Sequence, residues 1–174
     1  ITLTNINALK VSGTLNEIDF KYIRENLTAL EVLDLSGTNM TVFPNRALAF
    51  YNGENTTLKE VILPEGLISI EEAAFANCTA LEKLNVPPTV NTLGRWILEN
   101  TKVTSFTIPQ GVTEIPASCF YGSAITTINI PPSVKTIGNW AFQDAKLTEV
   151  VIPSSVTSIG KWAFGCNNNN PTLQ

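Results

Sequence analysis

The sequence contains no histidine and little charge, and both shortages limit its chemistry. Without histidine, the chain lacks the parts for Ser-His-Asp or Cys-His catalysis and for histidine-containing zinc sites. Charged residues make up 15% of the chain and the net charge is −4, which argues against nucleic acid or an anionic membrane surface as a partner. No apolar run approaches the roughly 18 residues of a membrane helix. We therefore predict no catalytic residues, no metal site, no cofactor and no membrane insertion in this chain.

What the sequence does contain is an internal repeat, clearest in residues 147–164, which read LTEVVIPSSVTSIGKWAF. A single copy cannot bury its own apolar side chains, whereas stacked copies cover one another and share a continuous core. Each large side chain buried in this way stabilises the fold by ~1.5–3 kcal/mol. We therefore predict a solenoid. Its seven repeats begin at Ile6, Leu30, Leu58, Leu81, Val103, Ile125 and Leu147.

Two motifs within the repeat resemble those of a known family. An Ile-Pro pair follows the first predicted strand of the last three repeats, and the motifs IGNWAF and IGKWAF occupy residues 137–142 and 159–164. These motifs are similar to those of the BspA-like, or treponemal-type, leucine-rich repeats, and the resemblance covers nearly the whole chain. It implies an α/β leucine-rich-repeat solenoid with about seven repeats of 22–28 residues. The expected solenoid is right-handed, with a curved parallel β-sheet on the concave side and short helices, turns and short extended segments on the convex side.

We expect residues 1–174 to form one leucine-rich-repeat domain with three sections. Residues 1–57 hold atypical, more helical repeats, residues 58–166 hold regular BspA-like repeats, and residues 167–174 form a polar tail. Helical spacing predicts a helix over residues 16–26, capped by Asn16 or Asp19, and a second helix over residues 45–51. Residues 1–10 lack the basic start and apolar middle of a signal peptide, so we expect none in this chain.

The three cysteines lie in alternate repeats, which bears on disulfide formation. Neighbouring strands lie ~4.8 Å apart, so strands two repeats apart are separated by ~10 Å. A disulfide needs Cα atoms within ~7 Å. We therefore predict that Cys78, Cys119 and Cys166 are free, largely buried thiols. The tail Asn167–Gln174 is too short to act as a capping repeat, so we also predict an exposed C-terminal edge available for self-association.

The polar positions of the concave sheet are expected to differ along the solenoid. In the middle repeats, Lys59 should face Glu82 and Glu60 should face Lys83, so these charges satisfy one another. The last three repeats carry a mostly neutral, hydroxyl-rich patch. This patch reflects either the strand preference of β-branched residues or a ligand-binding surface. Its residues are Thr104, Ser105, Thr107, Thr126, Thr127, Asn129, Thr148 and Glu149.

Trp96, Trp140 and Trp162 occupy one column of the repeat, immediately before the turn that contains the Ala-Phe pair of the regular repeats. They either pack at the edge of the convex side or form an aromatic anchor for a protein or sugar ligand.

The resemblance implies an extracellular or cell-surface location and an adhesin-like role in protein binding, because BspA-like proteins are typically bacterial surface or secreted proteins. The partner would be a protein of a host or microbial surface. Two alternatives remain open: a structural spacer that displays another domain, and carbohydrate binding through the Trp column.

Overall fold

A computed structural model describes residues 5–50 and 53–165 of the chain. Within those residues it contains one helix, α1 (Glu17–Asn26), and thirteen strands. The strands are β1 (Ala8–Gly13), β2 (Val32–Thr38), β3 (Val42–Phe43), β4 (Glu60–Ile62), β5 (Ser69–Ile70), β6 (Lys83–Asn85), β7 (Thr92–Leu93), β8 (Ser105–Thr107), β9 (Glu114–Ile115), β10 (Thr127–Asn129), β11 (Thr136–Ile137), β12 (Glu149–Val151) and β13 (Ser158–Ile159).

Strands of successive repeats pair in parallel, so the chain coils into the predicted leucine-rich-repeat solenoid of about seven turns. The first strands of the repeats form two sheets, ordered β1-β2-β4-β6 and β8-β10-β12. The second strands form the sheets β3-β5-β7 and β9-β11-β13. We use "first-strand face" for the outward surface of the β1-β2-β4-β6 and β8-β10-β12 sheets.

A proline follows the first strand in each regular repeat and turns the chain towards the second strand. Proline has no N–H to donate, so it ends the ladder of hydrogen bonds. Its carbonyl then accepts a hydrogen bond from the residue three positions later. The five bonds are 3.0–3.1 Å long and run from the N–H groups of Leu67, Val90, Val112, Val134 and Val156 to the carbonyls of Pro64, Pro87, Pro109, Pro131 and Pro153.

After the second strand, the chain turns a corner that uses two residues of positive φ, four positions apart. In the fourth repeat these are Trp96 (φ 55°) and Asn100 (φ 54°). Positive φ suits glycine, asparagine and aspartate, which explains Asn100 but not Trp96. Hydrogen bonds between neighbouring corners hold the conformation; the N–H of Phe120, for example, donates to the carbonyl of Ala141 at 2.8 Å.

The glycine of the IGxxAF motif is required because adjacent repeats approach closely there. A Cβ atom added to Gly138 would collide with the backbone of Ala117 in the preceding repeat. Gly94 and Gly160 make the same close approach to the backbone of Glu72 and Asn139. The glycine of the motif is therefore needed for the close packing of neighbouring coils at this position.

The helix α1 begins where the sequence predicts. The side chain of Asn16 accepts hydrogen bonds from the N–H groups of Ile18 (2.7 Å) and Asp19 (3.3 Å). The Asp19 carboxylate accepts one from the Asn16 N–H (2.9 Å) and completes a capping box. Phe20 and Ile23 face the core and are buried. Thus Asn16 is the cap, and Asp19 supports it.

The second predicted helix, over residues 45–51, is wrong for the part that the structure describes. Residues 45–50 form turns and irregular backbone instead. Arg46 has a positive φ of 53°, and the N–H groups of Arg46 and Leu48 donate to the carbonyls of Glu72 and Ala74 in the next repeat (2.9 and 3.0 Å). These contacts between coils replace the i to i−4 bonds of a helix.

Phenylalanine rings contact one another in two groups within the core, some stacked and some edge-to-face. Leu98 occupies the phenylalanine column between Phe75 and Phe120 and is fully buried. On one side of it, Phe20, Phe43 and Phe75 contact in sequence, with ring centroids 5.3 and 4.8 Å apart. On the other side, the contacts Phe106–Phe120, Phe120–Phe142 and Phe142–Phe164 have centroid distances of 5.1, 5.1 and 5.2 Å.

The first-strand face is interrupted at nearly the same place, between the fourth and fifth repeats. Strand β6 ends one sheet and β8 belongs to the other. Leu84 and Val86, beside the interruption, are only half-buried, whereas their counterparts Phe106 and Ile108 are buried. We call residues 5–102 the front half and residues 103–165 the back half.

Candidate functional site

The outward side chains of β8, β10 and β12 form two rows on the first-strand face of the back half. The parallel register places Thr127 between Ser105 and Glu149, and Asn129 between Thr107 and Val151. All six side chains are exposed. We call this set the hydroxyl face: Ser105, Thr107, Thr127, Asn129, Glu149 and Val151.

The hydroxyl face lines a shallow depression of about 330 Å³. Successive side chains of a strand point to opposite sides, so the residues between the two rows turn into the core. Phe106 and Ile128 are 4% and 8% exposed and form the base of the depression together with Val150. The hydroxyl face is therefore a layer of mostly polar side chains that lies directly over packed apolar side chains of the core.

The structure brings together five of the eight predicted patch residues and separates the other three from them. Thr104, Thr126 and Thr148 precede the strands and lie outside the depression. The hydroxyl groups of Thr126 and Thr148 donate to the carbonyls of Thr104 and Thr126 in the preceding repeats, at 3.4 and 3.3 Å. These two hydroxyls support the stacking of coils.

Val151 is the member of the hydroxyl face that the sequence analysis missed. It is 71% exposed and continues the row of Thr107 and Asn129. The alternation of side chains along β12 could have identified Val151, because it lies next to the half-buried Val150 and must point outwards.

The front half carries ion pairs on the same face. Lys83 contacts Glu60 at 3.8 Å, as predicted from the register. The predicted pair of Lys59 with Glu82 is wrong, because Lys59 forms its ion pair with Glu31 of the preceding repeat, at 3.0 Å. The long lysine side chain reaches a carboxylate on either neighbouring coil, and register does not decide between them.

The front half also has an ion pair between Asp34 and Lys10, besides that of Arg46 with Glu72 (3.8 Å). The Asp34 carboxylate accepts hydrogen bonds from Lys10 Nζ (2.8 Å) and from the Ser36 N–H (2.9 Å). The bonds from Lys10 and Ser36 lower the pKa of Asp34 from 3.8 to about 2. The carboxylate therefore stays charged and paired over the physiological range.

The structure separates the three tryptophans of the predicted column. Their φ angles are alike, 55°, 57° and 59° for Trp96, Trp140 and Trp162. Trp96 is half-buried and packs against buried alanines of the preceding repeats. Trp140 and Trp162 are 42% and 57% exposed. Position in the column thus fixes the backbone but not the environment of the indole.

Cys78 and Cys119 are free and buried, as predicted. Burial raises the pKa of the Cys78 thiol to about 12 and that of Cys119 well above its usual range, so neither is a ready nucleophile. Cys166 and the predicted C-terminal edge at residues 167–174 lie outside the described residues.

Metal-ligating side chains do not gather in groups of three or more anywhere in residues 5–50 and 53–165. In the same part of the chain, no helix has the length and apolar character needed to cross a membrane.

The repeat pattern and sheets are those of a known family. The family described as "BspA type Leucine rich repeat region (6 copies)" matches residues 46–170. The chain therefore belongs to the BspA-type leucine-rich repeat family, whose members are generally non-enzymatic repeat scaffolds.

Solved bacterial structures share the fold. A leucine-rich cell surface protein from Faecalibacterium prausnitzii is 25% identical, with a TM-score of 0.64 over 88% of this chain and 40% of its own. A leucine-rich repeat protein from T. pallidum is 22% identical, with a TM-score of 0.70 over 90% of this chain and 70% of its own. One from Eubacterium ventriosum is 17% identical, with a TM-score of 0.54 over 94% and 60%. The chain thus spans well under half of the first protein and over half of the other two. Curated proteins gave no match.

Proposed function

We propose that this chain is a non-enzymatic, adhesin-like module that acts at the cell surface or outside the cell and binds a protein through the hydroxyl face. The observation that carries the proposal is the depression of about 330 Å³ over three repeats, whose exposed rim has one charged residue, Glu149. Hydroxyl and amide groups offer both donors and acceptors to a partner, and desolvating them costs less than desolvating unpaired charges.

The surface is also suited to binding because it is held rigid. Thr107 and Thr127 are β-branched residues on paired strands, so they lose little χ1 freedom when a partner docks. The name of the F. prausnitzii protein supports the proposed location, since that protein is described as a cell surface protein.

The test begins by retaining partners from host-matrix and microbial surface extracts on the immobilised protein, followed by measuring the affinity of each purified partner. In the double variant Thr107→Lys and Thr127→Lys, we expect binding to weaken tenfold or more, roughly 1.4 kcal/mol, with the fold retained. The matched control is Thr92→Lys with Thr113→Lys, which adds the same charge at exposed positions away from this face and should bind normally.

Two results would contradict the proposal. If no purified partner distinguishes the wild type from the double lysine variant, the chain is better described as a spacer. If that variant binds normally while Trp140→Ala with Trp162→Ala abolishes binding without unfolding, the Trp column is the binding site instead.

A further inference from the structure

Three small residues create a hollow at the corners of the second to fourth repeats. Ala49, Ala73 and Ala76 are 5%, 6% and 4% exposed and form a small apolar cluster separate from the main core. The indole of Trp96 packs against this cluster. Ala73 and Trp96 occupy equivalent positions of successive repeats, with φ angles of 54° and 55°. The methyl group of Ala73 thus stands where the next repeat places a full indole.

The hollow measures about 290 Å³, close to the lower end of the range for small-ligand pockets. Its apolar lining consists of the three alanines with the rings of Trp96 and Phe50. Its polar lining consists of Arg46, Asn77 and Glu99. An aromatic wall with a few converging polar groups is the usual composition of a site that orients a small ligand.

Glu99 supplies hydrogen-bond acceptors to this hollow. Its carboxylate is half-buried and makes no hydrogen bond or ion pair to any other residue in the part of the chain that the structure describes. Burial raises its pKa above 4.5, and no neighbouring charge contributes to the shift. A carboxylate that has lost water without gaining a protein partner is available to a ligand donor.

Asn77 supplies donors on the same side. Its Oδ1 accepts a hydrogen bond from Nδ2 of Asn100 at 2.9 Å, which fixes the orientation of the amide. The NH₂ group of Asn77 donates no hydrogen bond among the described residues. The hollow therefore presents fixed donors and acceptors beside an aromatic ring.

We propose that this hollow binds a saccharide, with the apolar face of one sugar ring on Trp96 and its hydroxyl groups on Glu99 and Asn77. A sugar ring has an apolar face of C–H groups and a rim of hydroxyls that both donate and accept, which matches this lining. Arg46 already pairs with the Glu72 carboxylate at 3.8 Å, so the proposed contacts to the sugar hydroxyls depend on Glu99 and Asn77.

The site is distinct from the hydroxyl face, so the two proposals stand or fall separately. Trp140 and Trp162 have the same backbone conformation as Trp96, but they are far more exposed and neither lines this hollow. The proposal therefore predicts that one tryptophan of the three contributes to sugar binding.

The test is a ligand-observed NMR titration with the methyl pyranosides of glucose, galactose, mannose and N-acetylglucosamine. We expect saturable binding of at least one, and a loss of tenfold or more in affinity in Trp96→Ala. In Ala73→Trp the new indole should fill the hollow with the same effect, and the fold should persist because tryptophan already occupies this φ in three repeats. Trp140→Ala is the matched control and should bind as the wild type does.

Three outcomes would overturn the proposal. The first is that none of the four sugars shows saturable binding. The second is that binding survives in both Trp96→Ala and Ala73→Trp, with folding checked by circular dichroism. The third is that tetramethylammonium binds in place of the sugars and is lost in Glu99→Gln, which would make the hollow an organic-cation site.

Discussion

The front and back halves of the first-strand face share a backbone arrangement but differ in the side chains that they present to solvent. In the front half, Lys83 pairs with Glu60 of the preceding coil on this face, and Lys59 pairs with Glu31 just before the strands. In the back half, Thr107 and Thr127 occupy exposed strand positions. Glu149, in the row of Thr127, is the one charged residue of the two rows. The front half lines a depression of about 310 Å³ that extends to Thr104 and Ser105 of the back half, and the depression at the hydroxyl face measures about 330 Å³.

The comparison separates shape from chemistry. The regular coils of 22 or 23 residues stack in parallel register in both halves, so the strand surfaces that they form are built alike. A partner that docks on the front half must compete with the Lys83–Glu60 ion pair, whereas the hydroxyl face forms no ion pair among the described residues. The difference therefore favours the back half as the binding surface. The comparison of the two halves can be tested by substitutions in the core and then on the surface.

The largest effect should come from breaking the aromatic stack of one half. Phe120 is fully buried and contacts Phe106 and Phe142 with ring centroids 5.1 Å away. Phe120→Ala should lower the free energy of unfolding by about 3–5 kcal/mol in urea denaturation. Among the described residues, the first-strand sheets are separate between β6 and β8, and Leu98 separates the two groups of ring contacts. Faster amide exchange should therefore be confined to the back half.

Phe75→Ala is the counterpart in the front half, where Phe75 stacks on Phe43. It should raise amide exchange in residues 5–102 and leave the back half protected. Equal acceleration in both halves for either variant would show that the solenoid unfolds as one unit and that the interruption has no energetic consequence.

The buried thiols should make stability depend on alkaline pH in both halves. The pKa of Cys78 rises from 9.0 to about 12 on burial, so the unfolded chain loses its thiol proton first. The contribution is fully present below pH 9 and is lost as the pH rises towards 12. Cys78→Ala and Cys119→Ala should each flatten this decline in urea denaturation series. A decline that keeps its slope in both variants would contradict the assignment.

The same thiols predict a simple reactivity result. In a Cys166→Ser background, a thiol reagent at pH 8 should label neither Cys78 nor Cys119 in the native protein and both in denaturant. Labelling of only one in denaturant would show that the two are not both free.

A smaller effect of opposite sign should distinguish two hydroxyls in one column. Thr101, in the front half, donates from Oγ1 to the Leu98 carbonyl at 3.1 Å. Ser123, its back-half counterpart, is fully buried and its hydroxyl has no hydrogen-bond partner among the described residues. Thr101→Val should cost about 1 kcal/mol of unfolding free energy, and Ser123→Ala should add about 1 kcal/mol. Destabilisation by Ser123→Ala would reveal a hydrogen bond at that hydroxyl.

The smallest effect should come from the front-half ion pairs. Lys83 and Glu60 have side chains 74% and 34% exposed and lie 3.8 Å apart. Lys83→Ala should change the free energy of unfolding by at most about 1 kcal/mol, and less at high salt. A loss well above that value would mean that these charges maintain the fold and do more than occupy the surface.

Much of the fold is predictable from the spacing of a few residues. Proline after the first strand, glycine before the corner and phenylalanine in the corner recur because each marks one place on a coil. The second helix was mispredicted because residues 45–50 have helical spacing but donate their N–H groups to the next repeat. Sequence patterns report local preference, and here contacts between coils outweigh it.

The candidate sites were predictable to different extents. Alternation along β8 and β10 placed Thr107 and Thr127 correctly, and the same rule would have added Val151. The hollow beside Trp96 gave no such signal. The hollow exists because the small side chain of Ala73 leaves space beside the indole of Trp96 in the next repeat. That space can be recognised only when the contacts between side chains of neighbouring repeats are known.

The sequence by itself determined the number of coils, their parallel stacking and the buried columns, because the period of its apolar residues equals one turn of the solenoid. The tertiary structure alone decided that Lys59 pairs with Glu31, that the first-strand sheet stops after β6, and that one tryptophan borders a hollow. The physical reason is that each side chain lies between two neighbouring coils. Its partner depends on side-chain length and on the space left by both neighbours, which a pattern read along one strand does not contain.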